Sequence, residues 1–210
     1  MKPTECGCPF LAVNLWGKCV ISLGEQSIFA ASLSIMKIKR PSDSITTMTN
    51  LVMPNDTNIV GNLFGGTLMK WMDVCGALAA ARHAKKVCVT ASVNNISFKQ
   101  PIHLGETVSL VAKVVRAFNT SMEVYIEVYA ENIKTDTQRK CNDAFFTYVA
   151  VDDDYKTVKV PGIQPLTGDE QELFELALIR RQLKLLMADK ITLAEAPELQ
   201  KQVEEWLSDC

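Results

Sequence analysis

The sequence predicts an α+β fold in which an antiparallel β-sheet wraps one long central helix and a helical tail follows. Three observations carry this expectation. The stretch "GNLFGGTLMKWMDVCGALAAARHA", residues 61–84, opens on glycines and then runs helical for about five turns. Nearly every residue from Leu68 to Ala81 is apolar or small, on all sides of the helix, with Lys70 and Asp73 the exceptions. A helix that is apolar all round is a buried one. Four strand-like segments joined by short turns come next, a pattern that implies antiparallel pairing. The lone helix has no polar face to give to water, so it is the object such a sheet must enclose.

The first 35 residues differ from the rest. "CPFLAVNLWGKCVISLGEQSIFAASLSI" has no sustained period and is broken by Asn14, Lys18 and Glu25. It lacks the uninterrupted core of a secretory signal, and no arginine precedes Arg40. Met36 is the expected biological start, and residues 1–40 are expected to form a poorly ordered extension. A domain of sheet and helix over 41–158 and a helical tail over 159–210 complete the expected organisation.

Within that domain, "SITTMTNLVMPND" (44–56) is a β-type run stopped by Pro54, Asn55 and Asp56. Residues 61–66 form a glycine-rich loop. The helix that follows reaches about Ala84, with Arg82, Lys85 and Lys86 suited to its C-terminal dipole. Strands are predicted over 87–98, 106–118, 121–132 and 140–151. The third has the clearest period of two: Met122, Val124, Ile126, Val128 and Ala130 share one face. Glu123, Tyr125, Glu127, Tyr129 and Glu131 share the other, which is expected to be wet or interfacial. In the tail, "DEQELFELALIRRQLKLLM" reads as an amphipathic helix over 169–187, capped by Thr167 or Asp169. "APELQKQVEEWLSD" reads as a short further helix.

Composition narrows the function. Lys plus Arg is 22 and Asp plus Glu is 24, a balance that argues against a nucleic-acid-binding role. No run of 18 apolar residues exists to span a membrane. Of the seven cysteines, Cys75, Cys88 and Cys141 lie where small core hydrophobes belong. Cys6, Cys8 and Cys19 lack the C-x-x-C spacing of a zinc site, so no metal centre is expected. Reduced cysteines in a cytoplasmic protein are the plain reading.

The string "GNLFGGTLMKWMD", followed by "TASVNNISFKQPIHLGETV" and "NTSMEVYIEV", closely resembles the hotdog-fold acyl-CoA thioesterases. Several motifs occur in order, and the resemblance covers about residues 45–151. It implies a hotdog fold and hydrolysis of a medium- to long-chain acyl-CoA to free fatty acid and CoA. No cofactor is implied beyond the CoA of substrate and product. The family's functional pair is an asparagine in the glycine loop and an aspartate in the central helix, which fall on Asn62 and Asp73.

Thioester hydrolysis needs a base for water and donors for the developing oxyanion. Gly65, Gly66 and Thr67 offer backbone N–H groups at a helix N-terminus, where the dipole also favours negative charge. Asp73 supplies the carboxylate, and Asn62 can hold the water or the carbonyl. The bland alternative for Asp73 is an ion pair with Lys70, three residues back. Cations and turn groups suited to CoA phosphates are Lys99, Arg116, Thr120, Ser121 and Arg139, with Arg82 at the helix end. Ordinary surface charge is the alternative for each.

Asp73 lies seven residues beyond Gly66, roughly 10 Å down the axis at 1.5 Å per residue, too far for one carbonyl to touch both. The resemblance implies the solution: a homodimer in which Asn62 of one chain faces Asp73 of the other, assembled further as a trimer of dimers. Two other readings remain. A hotdog dehydratase would need a histidine base, but His83 and His103 lie outside the loop and the mid-helix. An acyl-CoA-binding regulatory module could reuse the fold without turnover.

Overall fold

The computed structural model describes residues 12–13, 19–20, 38–94, 96 and 98–208. The chain divides into two compact units, Met1–Ile35 and Met36–Cys210. In the first, strand β1 (Ala12–Val13) pairs antiparallel with β2 (Cys19–Val20). Of the expected extension over 1–40, residues 38–40 belong to the second unit, where the Lys39 N–H donates to the Gly162 carbonyl; the remainder otherwise lies outside the described residues.

The second unit is built on a five-stranded antiparallel sheet. Its strands are β3 (Thr46–Leu51), β4 (Val87–Asn94), β5 (Thr107–Ala117), β6 (Ser121–Asn132) and β7 (Thr137–Val151), in the order β3-β5-β6-β7-β4. Helix α1 (Gly65–Ala84) packs against all five. β6 has its predicted bounds, and its apolar face, Met122 to Ala130, is fully buried. Burying one such Val or Ile side chain contributes about 1.5–3 kcal/mol. β3 is shorter than its apolar run because Pro54–Asp56 turns away as a 3₁₀ helix. β7 starts three residues before its predicted bound. The polar residues 137–139 pair with 130–132 of β6, a ladder that composition does not announce.

The helix differs from its expected burial. Leu68, Met72, Cys75, Ala79, Ala80 and His83 face the sheet and are buried. Met69, Val74 and Leu78, at 41%, 44% and 50% exposure, do not. A sheet covers one side of a cylinder, so the opposite apolar stripe stays open within one chain. Edge strand β4 continues that open surface with Val87, Val89 and Val93. Lys39 Nζ donates to the carbonyls of Arg82 (3.1 Å) and His83 (2.6 Å), satisfying two acceptors at the helix C-terminus.

The outer face of the sheet, expected to be wet or interfacial, is interfacial where a helix covers it. Helix α2 (Gly168–Met187) lies against β5, and α3 (Pro197–Ser208) lies against α2. Thr167 caps α2 through the N–H of Glu170, closing a capping box. Glu123 is only 3% exposed because Arg180 of α2 reaches down to it. Three arginines stack on aromatic rings in this layer: Arg180 on Phe145, Arg116 on Phe174 and Arg181 on Phe118. No helix among the described residues is long and apolar enough to cross a membrane.

Candidate active site

The loop before α1 is organised by Asn58. Its Oδ1 accepts from the N–H groups of Val60 (3.0 Å) and Asn62 (3.1 Å), and its own N–H donates to the Asn62 carbonyl (2.8 Å). Gly61 closes the turn at φ 76°, a left-handed conformation that glycine adopts without strain. With the side-chain oxygen occupied, the Asn58 amide nitrogen is the group left to donate outward. Asn62 is tied back to the fold: its Oδ1 lies 2.8 Å from Nδ1 of His103.

The loop delivers the chain to α1 without a side-chain cap, since the residue at the N-cap position is Phe64. The first N–H groups of the helix, on Gly65, Gly66 and Thr67, lack intrahelical acceptors. A cavity of about 390 Å³ opens here, lined by Asn58, Asn62, Gly65, Leu68, Phe98 and Lys99, among others. It offers amide donors, a helix dipole and a cation to an anionic or carbonyl ligand.

Asp73 lies elsewhere, at one end of a groove of about 770 Å³ whose floor is Val74, Ala77, Leu78 and Ala81 and whose far end is Lys85, Lys86 and Asp153. Among the described residues no ion pair joins Asp73 to Lys70. Instead, Thr90 Oγ1 donates to Asp73 Oδ1 at 2.5 Å. The Tyr148 hydroxyl donates to the Asp73 carbonyl at 3.0 Å and lies 3.4 Å from Oδ1. Thr90 and Tyr148 face each other on the β4–β7 ladder, beside a bulge between Thr90 and Ser92. Such bulges re-aim side chains. Burial, and then the Asp73 carboxylate, push the Tyr148 hydroxyl well above the ordinary tyrosine range, so it stays a protonated donor.

Most of the cations proposed from the sequence are engaged in the fold. Arg139 forms a bidentate ion pair with Glu106 and donates to the Pro101 carbonyl. Arg116 donates to the Phe174 carbonyl beneath α2, and Ser121 accepts from Arg181. The Thr120 carbonyl accepts from Ala150, and Arg82 Nη1 donates to the Ile45 carbonyl. Lys99 alone of these lines the loop cavity, 3.3 Å from Asp143. Asn58, Thr90 and Tyr148 were not singled out in the sequence. Thr90 and Tyr148 come to Asp73 only through strand pairing, whereas Asn58 had a visible signal, an asparagine three residues before the glycine of a turn. Burial pushes the thiols of Cys75 and Cys88 up to about 11, in keeping with core packing and against nucleophilic use.

A family model described as the thioesterase superfamily matches residues 60–137. The chain is 42% identical over 144 residues to acyl-coenzyme A thioesterase 11 of Mus musculus, which covers 69% of this chain and 24% of that protein. It therefore spans about a quarter of that relative's length. A solved apo-hexameric acyl-CoA thioesterase superposes with a TM-score of 0.70 at 36% identity, covering 72% of this chain and 97% of that one. An acyl-CoA hydrolase of Staphylococcus aureus, solved with butyryl coenzyme A, coenzyme A and coenzyme A disulfide, superposes with a TM-score of 0.68 at 30% identity, over 82% and 99%. Structures of that enzyme also exist in which an asparagine, an aspartate fifteen residues further on and a threonine seventeen residues beyond that are each replaced by alanine. With loop, uncapped helix and central aspartate in place, the chain belongs to the hotdog-fold acyl-CoA thioesterases of the thioesterase superfamily.

Proposed function

We propose that this protein hydrolyses acyl-CoA thioesters to a free fatty acid and CoA. The observation that carries the reading is Asp73: a carboxylate in a helix otherwise almost wholly apolar, with no ion-pair partner among the described residues, held by hydroxyl donors at the end of an apolar groove. Asp73 is half-buried, and hydroxyl donors rather than a counter-charge hold it. It is oriented without being neutralised, as a base must be.

The chemistry follows from the groups present. Asp73 takes a proton from water as its oxygen attacks the thioester carbon. The carbonyl oxygen gathers negative charge and is met by N–H groups of Gly65 and Gly66 and by the helix dipole. The tetrahedral intermediate collapses with cleavage of the C–S bond, and the proton held by Asp73 passes to the departing CoA sulfur. The intervals between the three substituted positions of the Staphylococcus aureus enzyme are those separating Asn58, Asp73 and Thr90 in this chain. We therefore place the donating loop amide at Asn58, with Asn62 and His103 holding the loop behind it. The groove beside Asp73 suits a medium- to long-chain acyl group, and Lys99 is the cation best placed for a CoA phosphate. No cofactor enters this scheme.

Asn58 and Asp73 line different cavities of one chain. The reading accordingly joins them across a two-fold dimer, with the open stripe of α1 and edge strand β4 at its interface and a trimer of dimers as the full assembly. A cytoplasmic location fits the free thiols of Cys75, Cys88 and Cys141.

The experiment is release of CoA thiol from acyl-CoAs of graded chain length, followed with a thiol reagent, for the wild type and Asp73→Asn. Turnover on medium or long chains that Asp73→Asn nearly abolishes is the expected result. Binding of acyl-CoA without thiol release at any length would replace the enzyme by a binding module.

A further inference from the structure

Tyr148 is fully buried on β7, two residues from Phe146, on the same sheet face. A phenylalanine would fill that space equally well, so the hydroxyl calls for an explanation of its own. It reaches α1 at Asp73, touching both the main-chain carbonyl (3.0 Å) and Oδ1 (3.4 Å). A carbonyl within an α-helix is already satisfied by the N–H four residues on. The tyrosine bond is therefore additional to what the helix needs.

The approach is made possible by Gly76, three residues beyond Asp73 and on the same helical face. A Cβ at this position would collide with the Tyr148 hydroxyl and would lie 2.9 Å from Ile126 Cδ1 and 3.0 Å from Tyr148 Cε2. Glycine in a helix interior is unfavourable relative to alanine, and here it removes the methyl group that would hold the hydroxyl away. Thr90, opposite Tyr148 on the ladder, meets Oδ1 from the edge strand. Two hydroxyls from adjacent strands thus fix one carboxylate oxygen. Among the described residues no hydrogen bond reaches Oδ2.

We infer that Tyr148 is a positioning residue for the reaction: its hydroxyl locks Asp73 by backbone and side chain together so that Oδ2 faces the groove as the base, and Gly76 provides the gap through which it does so. The inference rests on the reading of Asp73 as the base. Tyr148 lines neither the loop cavity nor the groove, so it acts on turnover and leaves substrate affinity alone.

The test is Tyr148→Phe in the full chain, assayed by thiol release. The expected result is a kcat about tenfold lower, roughly the worth of one hydrogen bond made fully effective in the transition state, with KM within about twofold of wild type. Gly76→Ala keeps the tyrosine but displaces its hydroxyl, and should show the same selective loss of kcat; it carries the test if Tyr148→Phe does not fold. The double variant should be little worse than Tyr148→Phe, because the two act through one contact. A folded Tyr148→Phe with kcat within about twofold of wild type overturns the inference, as do kcat losses that multiply in the double variant. An Asp73→Asn enzyme with wild-type turnover overturns the assignment of the base itself. An inactive Asp73→Asn beside an unaffected Tyr148→Phe removes only the role of Tyr148.

Discussion

Glu123 Oε2 receives Arg180 Nη2 at 2.6 Å and Nε at 3.1 Å, joining the outer face of the sheet to helix α2 through a carboxylate almost sealed from water. Burial pushes the Glu123 carboxyl up and Arg180 pulls it back down. The charge is tolerated because the guanidinium satisfies it while its plane rests on Phe145.

Arg180→Ala leaves that carboxylate buried without its partner. We expect a loss of about 3 kcal/mol in denaturant unfolding, the usual cost of breaking a buried pair. Glu123→Gln removes the charge and should cost about 1 kcal/mol or less. A loss from Arg180→Ala no larger than about 1 kcal/mol would show that the Glu123 carboxylate does not depend on this partner.

Glu106 gives a pH dependence of stability. Hydrogen bonds from Arg139 hold its carboxyl below the usual glutamate range. A depressed pKa contributes stability that is present above the unfolded value, near 4.3, and is lost as pH falls through the folded one. Melting temperature should therefore fall as the medium is taken from pH 5 towards pH 3. Glu106→Gln should be less stable at pH 7 and show a shallower decline. A parallel decline in both proteins would assign the acid sensitivity to other carboxylates.

The open stripe of α1 should be an interface. Leu78→Lys, at the most exposed of its three apolar positions, should leave a folded chain that sediments at lower mass and has lost most thiol-releasing activity. An unchanged sedimentation coefficient would place the assembly surface elsewhere.

Sharing of the site is tested by complementation. Asn58→Ala and Asp73→Ala, each inactive, are mixed and allowed to exchange subunits. A heterodimer has one site with both residues and one with neither. Random mixing makes about half the dimers hetero, so activity should return to roughly a quarter of wild type. Exchange proven by mass spectrometry without recovery would confine both residues to one subunit.

Much of the fold is written locally. The alternation of β6, the breakers at Pro54 to Asp56 and the cap at Thr167, one of two candidates, each depend on neighbours in sequence, and each was legible. The bounds of β7 were not, because residues 137–139 are strand only by virtue of what they pair with. In the site, Asp73 stood out because a carboxylate in an apolar helix violates a local rule. Thr90 and Tyr148 violate none. A threonine in a strand and a tyrosine in a core are ordinary, and only the ladder between β4 and β7 brings them to one oxygen. The cations were legible as charges but not as partners: Arg116, Arg139 and Arg82 are engaged with groups 33 to 58 residues away.

The uncapped start of α1 sets stability against function at one position. Replacing Phe64 by serine or aspartate would supply the missing cap and strengthen the helix by about 1 kcal/mol. The new oxygen would do so by occupying the amides that the proposed oxyanion site requires. A screen for thermal tolerance should therefore enrich such changes at Phe64, and the same clones should lose turnover as they gain robustness. An aromatic residue where helices favour a small polar one gives up helix stability and leaves the first amides of α1 without a side-chain cap.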